Sequence, residues 1–195
     1  MSIFQRLHYI KDMMDGFSKP WYFAAGWAID LYLNKNTRNH DDVELAIYRE
    51  DQQEIHELLG KHWRMEVIKD RKQYLWQKDD YIGLPHHQIH VKNPQTKIIL
   101  FDIFLLDNDK SNWIFRRNKK ITMDIEKIYR LNSENLPYLT PEINLLFKAK
   151  EMREKDIHDF NQTLGYLGNE EKSWLLDALR IEYPGSAWIK QIEEI

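Results

Sequence analysis

The sequence has 195 residues, of which 43% are hydrophobic and 30% are charged, a composition typical of a folded globular protein and not of a disordered chain. The formal net charge is −3, which argues against a protein that binds nucleic acid through a broad basic surface. The chain contains no cysteine, so disulfides, thiolate nucleophiles and zinc–thiolate sites are excluded.

No segment of the sequence predicts a membrane anchor or a secretion signal. The N-terminal residues lack the apolar region and small-residue cleavage site of a signal peptide. The longest apolar stretch, 98–106, is too short to span a bilayer and contains Asp102. We therefore expect a cytoplasmic protein with no membrane partner and no nucleic-acid partner, and the sequence leaves its oligomeric state open.

The predicted elements alternate at first between helices and strands. Apolar residues at helical spacing predict an amphipathic helix over 2–16. Strands and helices then alternate over 21–25 (strand), 27–33 (helix), 43–48 (strand) and 50–62 (helix). From residue 63 onward, short β-prone segments separated by turn residues predict strands over 65–68, 74–77, 88–91 and 98–106, with a further strand near Ile121.

After Pro137 the sequence becomes helical. Thr140 and Pro141 are typical of a helix start, and the spacing predicts helices over 140–153, 156–167 and 170–183. The predicted fold is therefore α/β (α+β), a mixed sheet flanked by helices over residues 1–136, with a helical C-terminal part, 137–195, packed on it.

Two carboxylates open the predicted strand over 43–48. Asp42 and Glu44 are two residues apart, so on a strand they project from one face while Val43 projects from the other. Like charges this close make each other harder to ionise, and a cation would relieve the repulsion. An exposed strand edge is the alternative interpretation.

A third carboxylate, Asp102, lies inside the apolar segment 98–106. Burying it without a partner is costly, so we expect it to face a metal ion, an arginine or lysine, or a solvated cleft. If its strand lies beside that of Asp42 and Glu44, three carboxylates converge, and such oxygen ligands suit Mg²⁺. An ion pair with a lysine or arginine explains Asp102 equally well.

Gly26 lies at a predicted strand-to-helix turn. A glycine there lets backbone N–H groups approach an anion, and a helix N-terminus favours phosphate. A phosphate-binding turn together with carboxylate-bound Mg²⁺ is typical of phosphoryl or nucleotidyl transfer. Alone, a glycine before a helix is an ordinary turn, so the hypothesis depends on the combination.

The segments 26–31 (GWAIDL) and 37–44 (TRNHDDVE) resemble the motif of small antibiotic nucleotidyltransferases. These are the aminoglycoside and lincosamide adenylyltransferases of the polymerase β-like superfamily. The family pattern is Gly-Gly-Trp-Ala-hydrophobic-Asp, a spacer, then Arg-x-His-x-Asp-hydrophobic-Asp. The segments 136–142, 146–150 and 155–160 also resemble uncharacterised bacterial members, so the resemblance covers most of the chain.

This resemblance implies a mixed sheet that carries the carboxylate motif. It implies a Mg²⁺ ion bound by Asp42 and Glu44, with Asp102 either binding the metal or acting as base on an acceptor hydroxyl. The reaction would transfer a nucleoside monophosphate to that hydroxyl and release pyrophosphate. The co-substrate would be ATP or another nucleoside triphosphate, and the residues expected to bind it are Ala25, Gly26, Trp27, Arg38 and Lys148.

Two positions depart from the family pattern. Ala25 stands at the first glycine, where its methyl group would crowd the phosphates. Glu44 stands at the second aspartate and is one methylene longer, whereas Mg²⁺ demands tight octahedral geometry. Both departures favour an alternative in which the protein binds or regulates without catalysis.

The expected acceptor is a small molecule, such as an aminoglycoside-like or lincosamide-like antibiotic. The acidic net charge suits a cationic acceptor. A third hypothesis, transfer to RNA or protein, is disfavoured for RNA by the lack of a basic surface. Trp76, His86 and His87 are candidates for the acceptor pocket or for the core.

The basic side chains allow both functional and structural interpretations. Arg38 is expected to contact the triphosphate or to pair with Asp30 or Asp41. Lys148 and Lys150 lie two apart on a helix, so one is expected to reach the cleft and the other to be solvated. Asp156 and Asp159 are expected to cap a helix or pair at the surface. The basic run 116–120 is expected at a solvated hairpin tip.

Overall fold

The computed structural model describes residues 3–194. The strands in this range are β1 (Trp21–Ala24), β2 (Glu44–Tyr48), β3 (Arg64–Lys69), β4 (Lys72–Leu75), β5 (Gln88–Lys92), β6 (Ile99–Asn108), β7 (Asn112–Ile114), β8 (Thr122–Asp124), β9 (Tyr129–Leu131) and β10 (Pro137–Leu139). The helices in this range are α1 (Gln5–Met13), α2 (Ala25–Leu33), α3 (Gln52–Leu59), α4 (Pro141–Lys148), α5 (Glu154–Leu164), α6 (Asn169–Glu182) and α7 (Ala187–Glu193). Within residues 3–194, no helix is long and apolar enough to cross a bilayer.

The strands form one mixed sheet, which confirms the predicted fold class. Their order is β4-β3-β5-β6-β2-β1-β10-β9, and β7 and β8 form a hairpin that continues from β6. β2 runs parallel to β6, and β1 runs parallel to β10. The other neighbours are antiparallel.

Helices cover both faces of the sheet and create two apolar cores. Successive strand residues point to opposite faces, so Leu45 and Ile47 pack with α1 and α3 in one core. Ala46 lies on the other face, in a core with residues of α4, α5 and α6. The sheet is therefore the middle layer of three, as alternating burial on both faces requires.

The sheet register sets the positions of the polar side chains that matter below. Ala24, Glu44, Asp102 and His90 are successive register partners across β1, β2, β6 and β5. Register partners project from the same face. Glu44 and Asp102 are thus neighbours on adjacent strands, as the sequence predicted for the case in which these strands pair.

The elements that the sequence did not predict are short. Three-residue strands such as β7, β9 and β10 are too brief to show an alternating pattern. α4 ends at Lys148, five residues before its predicted end at Arg153. The expected division of the chain near residue 136 stays a prediction, and β10 lies beside β1 in the sheet.

Candidate active site

A cleft runs along the sheet face that the C-terminal helices cover. It encloses about 1030 Å³ of empty space, counting the solvent at its mouth. One end, which we call the carboxylate end, is lined by Gly26, Arg38, His40, Asp42, Glu44 and Lys148. The other, which we call the arginine end, is lined by His87, Phe104, Trp113, Arg116, Arg117 and Phe147.

The turn between β1 and α2 forms part of the carboxylate end. Ala25 has a φ of 53°, in the left-handed region that costs an L-residue roughly 1–2 kcal/mol. Its N–H donates to Oδ1 of Asn144 on α4 at 2.7 Å, so this helix N-terminal donor is already used. Both Ala25 and Gly26 line the cleft, and their role in binding phosphate stays a prediction.

Gly26 is required by the close approach of two side chains. A Cβ at this position would lie 2.3 Å from Nη2 of Arg38 and 2.7 Å from the His40 ring. These distances are far inside van der Waals contact, so any larger residue would displace Arg38 and His40. The tight turn therefore depends on the glycine.

A buried network holds the loop before β2 against α2. The carboxylate of Asp30 is fully buried and contacts Nε2 of His40 at 2.6 Å. It also accepts hydrogen bonds from the hydroxyl of Thr37, at 2.5 Å, and from its N–H, at 3.1 Å. The side chain of His40 is only 2% exposed, so this network is closed to solvent on the side of the imidazole.

Trp27 packs against the same loop, which precedes β2, on the side away from the cleft. Its indole lies 4.3 Å from the His40 ring, centroid to centroid, and its Nε1–H donates to the backbone oxygen of Asp42 at 2.9 Å. Trp27 is 6% exposed and is not among the residues that line the cleft. Its direct role is therefore to position Asp42, and its predicted nucleotide contact has no support in the cleft lining.

Asp42 and Glu44 both line the cleft, while Val43 and Leu45 are buried on the opposite face. Burial, together with the nearby carboxylates of Asp42 and Asp102, raises the pKa of Glu44 to about 7 against the opposing effect of Lys148. A carboxylate with this environment is stabilised by an added cation. The metal site predicted at this pair stays a prediction.

Asp102 lies beside Glu44 in the sheet, but its carboxylate contacts side chains of β5, the strand on the other side of β6. Its Oδ1 contacts Nδ1 of His90 at 2.5 Å, and its Oδ2 accepts from Nε2 of Gln88 at 2.8 Å. Asp102 does not line the cleft. Among residues 3–194, no three acidic or histidine side chains are grouped so that they could hold a metal ion together. The partners predicted from sequence were a metal, lysine or arginine, whereas the structure supplies a histidine and an amide.

Arg38 and Lys148 share a buried carboxylate. Arg38 binds Asp159 through two hydrogen bonds, at 2.8 and 3.0 Å, so the predicted pairing with Asp30 or Asp41 is wrong. Nζ of Lys148 lies 2.8 Å from Asp159 and 3.2 Å from Asp156. Both basic side chains line the cleft, as their predicted role in nucleotide binding requires, and Lys150 is solvent-exposed as expected.

The predicted surface pairing of the two aspartates is also wrong. Asp156 and Asp159 are fully buried, and hydrogen bonds and basic neighbours hold the pKa of each carboxyl below its usual value against the effect of burial. Asp156 does cap α5, because its Oδ2 accepts the backbone N–H of Arg153 at 3.2 Å. The three-residue spacing of Asp156 and Asp159 predicts only that they share one face of a helix. It does not predict whether other helices cover that face.

The arginine end of the cleft contains two residues, Arg116 and Arg117, that the sequence analysis did not place in a binding site. The run 116–120 was expected at a solvated hairpin tip, and Lys119 and Lys120 are indeed exposed. Arg116 and Arg117, however, are half-buried and line the cleft. Of the candidates for an acceptor pocket, His87 lines the cleft, whereas Trp76 is a core residue that is 3% exposed.

Comparison with known proteins places this geometry in a family. The family model described as aminoglycoside-2''-adenylyltransferase matches residues 6–163. No curated protein sequence matches the chain.

Solved structures of two antibiotic adenylyltransferases share the fold. One is a lincosamide antibiotic adenylyltransferase, LnuA, with lincomycin bound: identity is 17%, coverage is 81% of this chain and 94% of that chain, and the TM-score is 0.56. The other is ANT(2'')-Ia in complex with adenylyl-2''-tobramycin: identity is 16%, coverage is 91% and 96%, and the TM-score is 0.57. A nucleotidyltransferase-like protein from Paracoccidioides brasiliensis is similar at 12% identity, with 100% and 94% coverage and a TM-score of 0.53.

Proposed function

The chain belongs to the aminoglycoside-2''-adenylyltransferase family, and on that premise we propose that it transfers AMP from ATP to a hydroxyl of a small molecule in a Mg²⁺-dependent reaction. The observation that carries this proposal is the carboxylate end of the cleft. There the Ala25–Gly26 turn at the start of α2 shares one cleft with Asp42 and Glu44.

The two carboxylates of Asp42 and Glu44 suit a Mg²⁺ ion that binds together with the phosphates of a nucleotide. Mg²⁺ is usually held by one or two carboxylates together with substrate phosphates and water, not by a cage made only of protein ligands. Asp42 and Glu44 supply two such carboxylates, and burial with the neighbouring carboxylates keeps the pKa of Glu44 raised although Lys148 and Lys155 lie near it. When bound, the ion would neutralise the charge that develops on the phosphates.

The basic side chains at the same end would bind the triphosphate. Lys148 and Arg38 line the cleft, and Lys155 and Arg153 lie close to Glu44. Asp159 and Asp156 hold Lys148 in place, so its ammonium is positioned before the substrate arrives. Prepositioned charge lowers the reorganisation that accompanies the reaction.

The bond changes follow from the chemistry of nucleotidyl transfer. The acceptor hydroxyl oxygen forms a bond to the α-phosphorus of ATP, the bond between that phosphorus and the bridging oxygen breaks, and pyrophosphate leaves. The hydroxyl proton passes to a base. Asp102 is our candidate for this base or for a third metal ligand, and its contact with His90 would orient it in either role.

Titration calorimetry of ATP and GTP, with and without Mg²⁺, tests the proposal. Wild-type protein should bind ATP only with Mg²⁺, and Asp42→Asn should abolish this binding. Asp41→Asn is the matched control, because Asp41 is the exposed neighbouring aspartate and does not line the cleft. Absence of Mg²⁺-dependent binding in the wild type would exclude the proposed activity.

Asp102→Asn then separates its two candidate roles. If Asp102 is the base, the variant should keep Mg²⁺–ATP affinity and lose turnover. If it is a metal ligand, affinity and turnover should fall together.

A non-catalytic nucleotide-binding protein is the second candidate. The observation that favours it is the crowded turn, where Ala25 occupies a left-handed conformation and its N–H is already bonded to Asn144. Pyrophosphate release in the presence of any hydroxyl acceptor would exclude this alternative.

A further inference from the structure

The side chains that line the cleft are more basic than the protein as a whole. Although the net charge of the chain is −3, its cleft is lined by six basic side chains and only three carboxylates. The basic ones are Arg38, Arg116, Arg117, Lys148, Arg153 and Lys155, and the acidic ones are Asp42, Glu44 and Asp107. The overall acidity, which suggested a cationic acceptor, therefore does not describe the surface that an acceptor would meet.

Arg116 makes no ion pair within the described chain, and Asp107, the carboxylate that favours its charge, is bound by Arg49. Over residues 3–194, its guanidinium makes neither a hydrogen bond nor an ion pair, and it lies over the Phe147 ring, 5.7 Å from the centroid. Burial and the neighbouring Arg117 lower its pKa to about 10, so it stays charged at neutral pH. A half-buried cation without a counter-ion is unfavourable unless a ligand supplies one.

Arg117 adds a second cation without a carboxylate. Its Nη1 donates to the backbone oxygen of Phe147 at 3.1 Å and to the hydroxyl of Tyr183 at 2.8 Å. The one carboxylate at this end, Asp107, is occupied by Arg49 through contacts of 2.6 and 3.2 Å. The described groups around the arginine end therefore leave a net positive charge there.

The hairpin that carries the two arginines is anchored. The N–H of Phe115 donates to the oxygen of Ile121 at 2.9 Å, which closes the loop. Nδ2 of Asn118 donates to Glu182 on α6 at 3.0 Å. The arginines are consequently presented by a braced loop, as a binding site requires.

The remaining walls of the arginine end are flat and uncharged. The His87 ring stacks on Phe104 with a centroid distance of 6.2 Å, and burial together with Arg116 lowers the pKa of His87 to about 4. His87 is therefore neutral near pH 7. Phe147 adds an aromatic ring beside the arginines, and the fully buried Trp113 packs against that ring with a centroid distance of 6.1 Å.

We propose that the acceptor of this protein carries an anionic group, a carboxylate or phosphate, on a flat apolar body, and that Arg116 and Arg117 bind that group at the arginine end. This inference rests on the proposed function and specifies its substrate class. A polycationic aminoglycoside would place like charges together here, which is strongly unfavourable. An aromatic body would instead stack on the walls of the cleft while its acid group pairs with the arginines.

Ligand-observed NMR titrations at pH 7.5 test this inference with three probes. These are 4-hydroxybenzoate, the uncharged and nearly isosteric 4-hydroxybenzamide, and the polycation tobramycin, each with and without saturating Mg²⁺–ATP. Wild-type protein should bind 4-hydroxybenzoate most tightly and tobramycin least. Arg116→Gln should weaken 4-hydroxybenzoate about ten- to a hundredfold, the usual loss for a charge-assisted contact. The control Lys119→Gln changes an exposed lysine of the same loop and should have no effect.

Three outcomes would overturn the inference. One is equal or tighter binding of the amide or tobramycin, and another is no loss in Arg116→Gln. The third is a parallel loss of ATP affinity in that variant, which would assign Arg116 to the nucleotide phosphates. If ATP does not bind the wild type at all, the proposed function fails, while the titrations without ATP still decide whether the anion site exists.

Discussion

The two ends of the cleft treat charge in different ways. At the carboxylate end, fully buried aspartates neutralise Arg38 and Lys148. Burial and the neighbouring carboxylates raise the pKa of Glu44, so an added cation would stabilise its charged form. At the arginine end, Arg116 makes no ion pair within the described residues, and the nearby Asp107 is bound by Arg49. Paired charges stabilise a fold, whereas unpaired charges in a cleft cost stability that ligand binding can recover.

The largest expected effect concerns the buried aspartate that serves both basic residues. Asp159→Asn leaves Arg38 and Lys148 without their shared charge, so we expect a loss of about 3–5 kcal/mol in the free energy of unfolding. Urea denaturation monitored by tryptophan fluorescence measures it. Asp177→Asn changes an exposed aspartate of α6 and should cost less than about 0.5 kcal/mol. Equal losses in the two variants would show that the carboxylate end is not held together by paired charges.

The next effect probes the tight turn. In Gly26→Ala the new methyl group meets Arg38 and His40, both of which are tied into buried networks. We expect a loss of about 3 kcal/mol in the free energy of unfolding, at the upper part of the range for overpacking. Gly165→Ala adds a methyl group where nothing lies within 4 Å and should be nearly neutral. A stable Gly26→Ala variant would mean that Arg38 can move away without cost.

A third substitution, Glu44→Gln, should increase the free energy of unfolding, unlike the two above, and the size of the increase should depend on pH. The folded-state pKa of Glu44, about 7, lies above its ordinary value of 4.5, so the folded protein holds this proton more tightly than the unfolded chain does. The associated stabilisation is present below pH 4.5 and is lost as the pH rises through about 7. Glu44→Gln should therefore be more stable than the wild type by about 2 kcal/mol at pH 8 and nearly equal to it at pH 4.5.

Denaturation of wild type and Glu44→Gln across this pH range isolates Glu44 from Glu142, whose pKa burial also raises to about 7 and which both proteins retain. If Mg²⁺ binds as proposed, it should stabilise the wild type at pH 8 and leave Glu44→Gln unchanged. A constant difference between the two proteins from pH 4.5 to 8 would contradict the raised pKa.

The smallest expected effect lies at the arginine end. Arg116→Gln removes a cation that burial and Arg117 disfavour, so we expect the variant to gain up to about 1 kcal/mol in the free energy of unfolding. This gain would be the reverse of the loss in Asp159→Asn, and the contrast would sharpen the difference between the two ends. A loss of stability in Arg116→Gln would instead indicate that Arg116 supports the fold.

The sequence located the carboxylate end more successfully than the arginine end. The local pattern around Gly26, Asp42 and Glu44 combines a turn with a strand alternation, and both are properties of neighbouring residues. Arg116 and Arg117 follow Phe115 in a hairpin whose strands span only three residues each, which is too short for periodicity to reveal. Their position in the cleft depends on contacts with α4 and α6, far away in the sequence.

The sequence by itself determined the alternation of β1, α2 and β2 and the face shared by Asp42 and Glu44. Each of these follows from steric and periodic rules that act over a few residues. Only the tertiary structure decided that Asp159 neutralises Arg38 and Lys148 and that His90 faces Asp102. It also decided that Arg116 lines the cleft without an ion pair among the described residues. Electrostatic partners are set by distances through space, and long-range packing alone brings those side chains together.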